Sequence, residues 1–250
     1  MVEKNIDLSI LDKFNFQYKP VGVKFLLTKP KDMSKLDKQL AICEMLKEAQ
    51  DSEPFYTTKE NHECKGGPFL LGMVDPDPIF ASGQIGPKLG VYEDPRAGRR
   101  QYMQMPRLER NSVNYVAFSS YDKLSFDPDI LIVTAKPSQA EILLRAYGYR
   151  TGAAWNAKGT SVLGCTYLFM HPYVSGELNM MVTGLQHGMK ARHMFPEGLL
   201  LITIPFNLLP EIIENLKVIE WDLPQYSWGK EAHLKRMKEI AEEVNRELTL

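Results

Sequence analysis

Three cysteines, Cys43, Cys64 and Cys165, are the residues of this 250-residue chain whose type and spacing point to chemistry. They lie 21 and then 101 positions apart. A structural zinc site brings thiolates in close pairs such as C-x-x-C, because one tight turn presents two at once. No such pair occurs here. Three dispersed thiolates can instead ligate three corners of a [4Fe-4S] cluster, one from each part of a fold. The fourth iron is then left open as a Lewis acid or a substrate-binding atom. Taken singly, each cysteine reads equally well as a small buried hydrophobe. Cys64 resists that reading most, because it stands in His62-Glu63-Cys64-Lys65-Gly66-Gly67-Pro68. Gly66 and Gly67 let backbone approach a bound group closely, and His62 is placed to supply a ligand or a proton.

A second constellation runs from Gly184 to Gly198 and holds His187, Lys190, Arg192 and His193 among glycines. Glycines and cations after a strand suit an anion, although neither G-x-x-x-x-G-K-[ST] nor G-x-G-x-x-G is present. The sequence equally allows a solvated basic loop. A third is the arginine-rich run from Arg96 to Arg110, in which Arg107 could hold carboxylate or phosphate through a planar fork. The methionines between Met170 and Met194 form no M-x-x-M series and read as core filling. Neither G-x-S-x-G nor H-E-x-x-H occurs, so hydrolase chemistry has no motif behind it.

Composition limits the partners. Thirty basic and 31 acidic side chains nearly cancel, which leaves no bulk attraction to nucleic acid or to anionic membrane. The most apolar run, Leu199 to Phe206, is far short of the ~20 residues that span a bilayer. The opening Met1 to Asp7 lacks the basic and apolar regions of a signal peptide. We therefore expect a cytoplasmic protein, with its odd number of thiols kept reduced. The expected partner is a small anionic molecule, and a homo-oligomer is compatible with the sequence.

The elements that must position these residues can be read from periodicity. Val21, Val23 and Phe25 alternate as a strand. Asp32 or Ser34 is placed to cap a helix to about Gln50, with Leu36, Leu40, Cys43 and Leu46 on its apolar side. Residues 51 to 68 read as a loop that delivers Cys64, and residues 92 to 110 as a polar stretch. Strands are expected at 114–119, 129–134, 178–182 and 199–205, and helices at 138–147 and 208–216. The run 162–173 fits either element. The tail from Lys230 to Leu250 reads as an amphipathic helix with Leu234, Met237, Ile240, Ala241 and Val244 turned inward. The expectation is an α/β or α+β fold: a compact mixed sheet with flanking helices and a C-terminal amphipathic helix. It reads as one domain, with the softest division into lobes at 123–128.

Several stretches resemble domain-of-unknown-function family one-six-nine. They are Pro20-Val-Gly-Val-Lys-Phe25, Ala41-Ile-Cys43-Glu-Met-Leu-Lys-Glu-Ala49 and Phe55 through Gly72 with His62 and Cys64. Pro128-Asp-Ile-Leu-Ile-Val133, Gln139-Ala140 and Ile204-Pro205 continue the likeness. The family recurs in archaea and anaerobic bacteria. The resemblance implies that Cys43, Cys64 and Cys165 belong to one site. It implies no activity. The family pattern has a Gly-Cys-x-Gly-x-Arg-like stretch where this chain reads Gly184-Leu-Gln-His-Gly-Met-Lys190, so a fourth cysteine is missing here. The joint reading is an iron–sulfur-dependent lyase or redox enzyme of anaerobic metabolism. In it Cys43, Cys64 and Cys165 ligate the metal, and His62 or His187 lies nearby. Gly66 and Gly67 seat the cofactor, and Lys190 or Arg192 holds the anion. The alternative is a metal-free anion-binding or regulatory module. Its site would be Arg107, Lys190 and Arg192, and its cysteines would be structural.

Overall fold

The computed structural model describes residues 6–249. Residues 1–5, most of the stretch read against a signal peptide, lie outside the described residues, as does Leu250. The chain divides into two units, Met1–Lys217 and Val218–Leu250. Among the described residues no helix is long and apolar enough to cross a membrane.

The larger unit is α+β. Its seven-stranded mixed sheet has the order β2-β3-β4-β1-β5-β7-β6. The strands are β1 (Tyr18–Leu26), β2 (Ser34–Lys35), β3 (Phe55–Thr57), β4 (Tyr115–Ser120), β5 (Ile130–Ala135), β6 (Asn179–Val182) and β7 (Leu200–Pro205). β2 and β3 run parallel and every other neighbour pair is antiparallel. Residues 123–128 join β4 to β5 within this unit.

Alternation in the strands sends two apolar sets to opposite faces. Val21, Val23 and Phe25 of β1 share one core with Val116 and Phe118 of β4, Ile130 and Ile132 of β5, and Leu201 of β7. Helix α1 (Ile42–Asp51) lays Met45 and Leu46 into that core, each almost wholly buried. At about 1.5–3 kcal/mol per buried large apolar side chain, these two anchor the helix. On the other face α6 (Pro137–Gly148) packs on β5 and β7. Asn215 of α9 (Leu209–Val218) donates to the Ala146 carbonyl of α6 at 2.8 Å.

The first helix begins later than the periodicity of Leu36, Leu40, Cys43 and Leu46 predicts. Residues 34–40 are not helical but form β2, a bend and a bridge at Leu40, because their backbone groups are taken by other segments. The Leu36 N–H donates to the Tyr56 carbonyl at 2.9 Å. Buried Asn61 donates through Nδ2 to the carbonyls of Leu36 (2.8 Å) and Lys38 (3.1 Å), and its Oδ1 accepts from the Thr58 N–H at 3.0 Å. Leu40 then pairs with the chain on both sides of His62: Leu40 N–H to Asn61 carbonyl at 2.9 Å, and Glu63 N–H to Leu40 carbonyl at 3.1 Å. The stretch expected to be loop thus contains β3, and its end is bonded to the start of α1.

Other short elements follow local signals. They are α2 (Gly66–Leu70), α3 (Pro78–Ala81), α4 (Ile85–Lys88) and α5 (Pro95–Gln104). The arginine-rich run is therefore largely helix. Asp94 caps it by accepting from the Arg96 and Ala97 N–H groups, and Pro95 occupies its first turn. The ambiguous run 162–173 is helical, with a π-helical turn at Thr166–Met170 leading into α7 (His171–Ser175). A short α8 (His187–Ala191) lies in the loop between β6 and β7.

The smaller unit contains a 3-10 turn and α10 (Lys230–Leu248). The C-terminal helix is present, but the stripe of Leu234, Met237, Ile240, Ala241 and Val244 is not buried; no residue of α10 is. The unit has no second long element against which a stripe could close. Arg236, paired with Glu239 at 3.4 Å and Glu243 at 2.9 Å, supports the polar side.

Replacing Asn61 by Ala leaves two carbonyls and one N–H without their partner, a loss of about 3 kcal/mol. We expect a lower urea midpoint with an unchanged slope. An unaltered midpoint would show that residues 34–40 do not depend on this side chain.

Candidate functional site

The pairing at Leu40 decides where two of the cysteines lie. Cys43 is the second residue of α1, three positions beyond Leu40, and Cys64 follows the paired Glu63 directly. Both are therefore held on the α1 side of the sheet. A side-chain clip reinforces the backbone. Arg192, from the loop after α8, donates to Glu44 at 2.8 Å and to Glu63 at 3.1 Å, the neighbours of Cys43 and Cys64.

Cys165 arrives on the turn that opens the π-helical segment. The Thr166 hydroxyl donates to the Pro106 carbonyl, Asn179 Nδ2 donates to the Tyr167 carbonyl at 2.8 Å, and the Thr203 hydroxyl donates to the Leu168 carbonyl at 2.8 Å. The diglycine lets this turn meet the Cys64 loop. A Cβ on Gly66 would stand 2.7 Å from Leu163 Cδ2, and 3.6 Å from Cys64 Sγ. A Cβ on Gly67 would stand 2.6 Å from His62 Nδ1. Neither glycine has room for a side chain, and Leu163 itself is held at a φ of 56°. The His187 N–H ties α8 to the same turn through the Ser161 carbonyl at 2.8 Å.

The thiols consequently feel one another. Cys43 is buried, and burial pushes its thiol up to about 12. Glu44 and Cys64 add to the rise, and Arg192 offsets part of it. Cys165 retains some accessible surface, yet desolvation of its sulfur pushes the thiol well up, with Cys43 and then Cys64 contributing. All three cysteines pack on one apolar core. Thiols with such affinities stay protonated near neutrality, so nucleophilic thiolate chemistry does not suit Cys43 or Cys165. Among the described residues no three His, Cys, Asp or Glu side chains are arranged to hold a single metal ion.

Two buried polar groups beside these segments lack partners. Neither ring nitrogen of His62 is hydrogen-bonded, and Gln186 Oε1 is likewise unpaired. His62 packs on Gly67 and Ile42, and Gln186 packs on Gly164, the neighbour of Cys165. Burial lowers the His62 imidazole to about 4, which keeps it neutral at physiological pH.

The cations named from sequence are dispersed. Arg107 stacks over Tyr102 and Phe69, 4.8 and 5.7 Å from the ring centroids, and donates to the Tyr102 carbonyl. Lys190 pairs with Glu197 at 2.8 Å, and Arg192 is occupied by its two glutamates. Sequence reasoning missed Asn61, Glu44 and Glu63, which set the site from outside the cysteines. A signal existed only for Asn61, whose short amide side chain suits turns.

The family's sequence profile, described as uncharacterised ArCR, matches residues 9–215. The chain belongs to domain-of-unknown-function family one-six-nine. The family match spans the sheet and all three cysteines and ends two residues before the smaller unit begins. A relative carrying the name uncharacterized protein MJ0308, from Methanocaldococcus jannaschii, is 26% identical over 223 residues. That alignment covers 86% of this chain and 91% of the archaeal one. No solved structure matches the chain.

Two outcomes test this geometry. His62 is neutral when folded and titrates near 6.5 when unfolded, so its contribution is present above pH 6.5 and is lost as pH falls toward 4. The loss amounts to about 3 kcal/mol. Denaturation of His62→Gln across that range should show a shallower acid decline than the parent, and parallel curves would contradict the burial. Arg192→Met should lower stability by about 1 kcal/mol, because the half-buried Glu44 and the exposed Glu63 lose their common partner. Unchanged stability would mean the clip does not hold the two segments.

Proposed function

We propose that Cys43, Cys64 and Cys165 hold a [4Fe-4S] cluster, and that the protein is an iron–sulfur enzyme of anaerobic metabolism acting as a lyase or a redox enzyme. The observation that carries this reading is the packing of three cysteines from three distant segments on one core, where burial and the neighbouring thiols raise the proton affinity of Cys43 and Cys165. A pair of protonated thiols such as Cys43 and Cys165 has little use as a nucleophile. It becomes useful when a metal centre displaces the protons and the thiolates gain metal bonds.

The donor set suits a centre larger than one ion. A tetrahedral zinc with bonds of about 2.3 Å needs its sulfurs about 3.8 Å apart, and no group of that kind is preformed among the described residues. An inorganic cube reaches thiols that are more widely set. With three cysteines in the chain, a cluster bound this way would keep one iron free to polarise a substrate oxygen. The unpaired nitrogens of His62 and the unpaired Oε1 of Gln186 supply polar groups beside the cysteine segments. The Arg192 guanidinium, which opposes the rise in proton affinity at Cys43, would serve to temper the negative charge of a thiolate-bound cluster.

Protein purified or reconstituted without oxygen should be brown and contain about four irons and four sulfides per chain. Cys43→Ser, Cys64→Ser and Cys165→Ser should each lose most of that iron while remaining folded by circular dichroism. Colourless protein without iron after reconstitution, or stoichiometric zinc in its place, would sink the proposal.

A further inference from the structure

The loop between β6 and β7 sends Arg192 toward the cysteines and lines a separate cavity of about 380 Å³ with other side chains. Three segments build that cavity: Tyr18 at the start of β1, Lys47 of α1, and the loop itself. One part is apolar. Tyr18 and Phe195 meet edge to face with centroids 5.2 Å apart, and the buried Met189 and Met194 lie beneath. The other part is basic, with Lys47, Lys190 and His193 lining the same space. Its one carboxylate, Glu197, is bonded to Lys190 at 2.8 Å.

Lys47 is the cation left over. Its side chain takes part in no ion pair or hydrogen bond among the described residues. The glutamates that share its neighbouring groove are engaged elsewhere, Glu44 by Arg192 and Glu48 by Lys38 at 2.9 Å. Asp51, one turn further on α1, is outside ion-pair range. His193 holds a left-handed backbone, φ 49°, at the turn that carries it into the cavity wall. Two lysines and an imidazole against one carboxylate, beside an aromatic wall and in a space of small-molecule size, define a ligand by chemistry.

We propose that this cavity binds a small organic anion, a carboxylate or phosphate monoester, whose charged head is held by Lys47 and Lys190 and whose flat apolar body lies against Tyr18 and Phe195. The site goes beyond the cluster proposal and needs no metal. Lys47 lies one helical turn after Cys43 on α1.

Calorimetric titration of the full chain, as isolated, tests this with four probes: phenyl phosphate, benzoate, inorganic phosphate and benzyl alcohol. At least one aromatic anion should bind with one-to-one stoichiometry and a millimolar or tighter Kd. Inorganic phosphate and benzyl alcohol should bind at least tenfold more weakly. Lys47→Ala, at an exposed position, should weaken the aromatic anion about tenfold without altering the thermal melt, and Lys190→Ala should weaken it as well. The proposal is overturned if neither aromatic anion binds, if the neutral alcohol binds equally, if inorganic phosphate alone binds as tightly, or if Lys47→Ala binds like the parent.

Discussion

The exchange of backbone hydrogen bonds between Leu40 and the residues flanking His62 is the constraint on which the site depends. It joins two segments about twenty positions apart immediately before one cysteine and immediately before the other. Because a backbone bond leaves little freedom of register, it sets Cys43 and Cys64 on the same side of the sheet whatever their own side chains do. Asn61 holds the approach to this junction, and Arg192 ties the glutamates next to each cysteine from outside. Cys43 and Cys64 are thus placed by polar bonds in their surroundings, and burial keeps the Cys43 and Cys165 thiols protonated.

Glycine has a related role at the meeting of the Cys64 loop and the Cys165 turn. Gly66 accommodates Leu163 of the Cys165 turn, and Gly67 accommodates the His62 ring of its own loop, so a Cβ at either position would force a neighbour to shift. The His62 ring nitrogens at Gly67 and Gln186 Oε1 at Gly164 are buried without a hydrogen-bond partner among the described residues. Leaving buried polar atoms unpaired is costly, and these two groups stand beside the cysteine segments.

Much of the sheet was legible from residue order. Alternation in β1, the apolar runs of β5 and β7, and the Pro- and Asn-bounded helices α6 and α9 are local patterns, and local patterns survive into the fold. The start of α1 was not legible. Leu36, Leu40, Cys43 and Leu46 satisfy a helical period, and only the claim of β3 and Asn61 on the backbone of residues 34–40 overrides it. The helix α5 was hidden by its arginines, although Asp94-Pro95 is a sound start signal. The apolar stripe of α10 was read as inward from its period alone; a period says which residues share a face, and not that anything covers it.

For the site, residue type determined which side chains could ligate a metal, and the setting of Cys64 among glycines marked that loop as a place of close approach. The mixed-sheet class followed from the strand and helix patterns, and the absence of paired cysteines followed from the spacing. Only the tertiary structure decided that Cys165 packs on the same core as the other two, that Arg192 is spent on Glu44 and Glu63, and that Lys47 instead faces the open cavity beside Lys190. Proximity between residues more than a hundred positions apart is set by sheet order and by loop-to-loop bonds. Neither leaves a mark at the residues that it brings together.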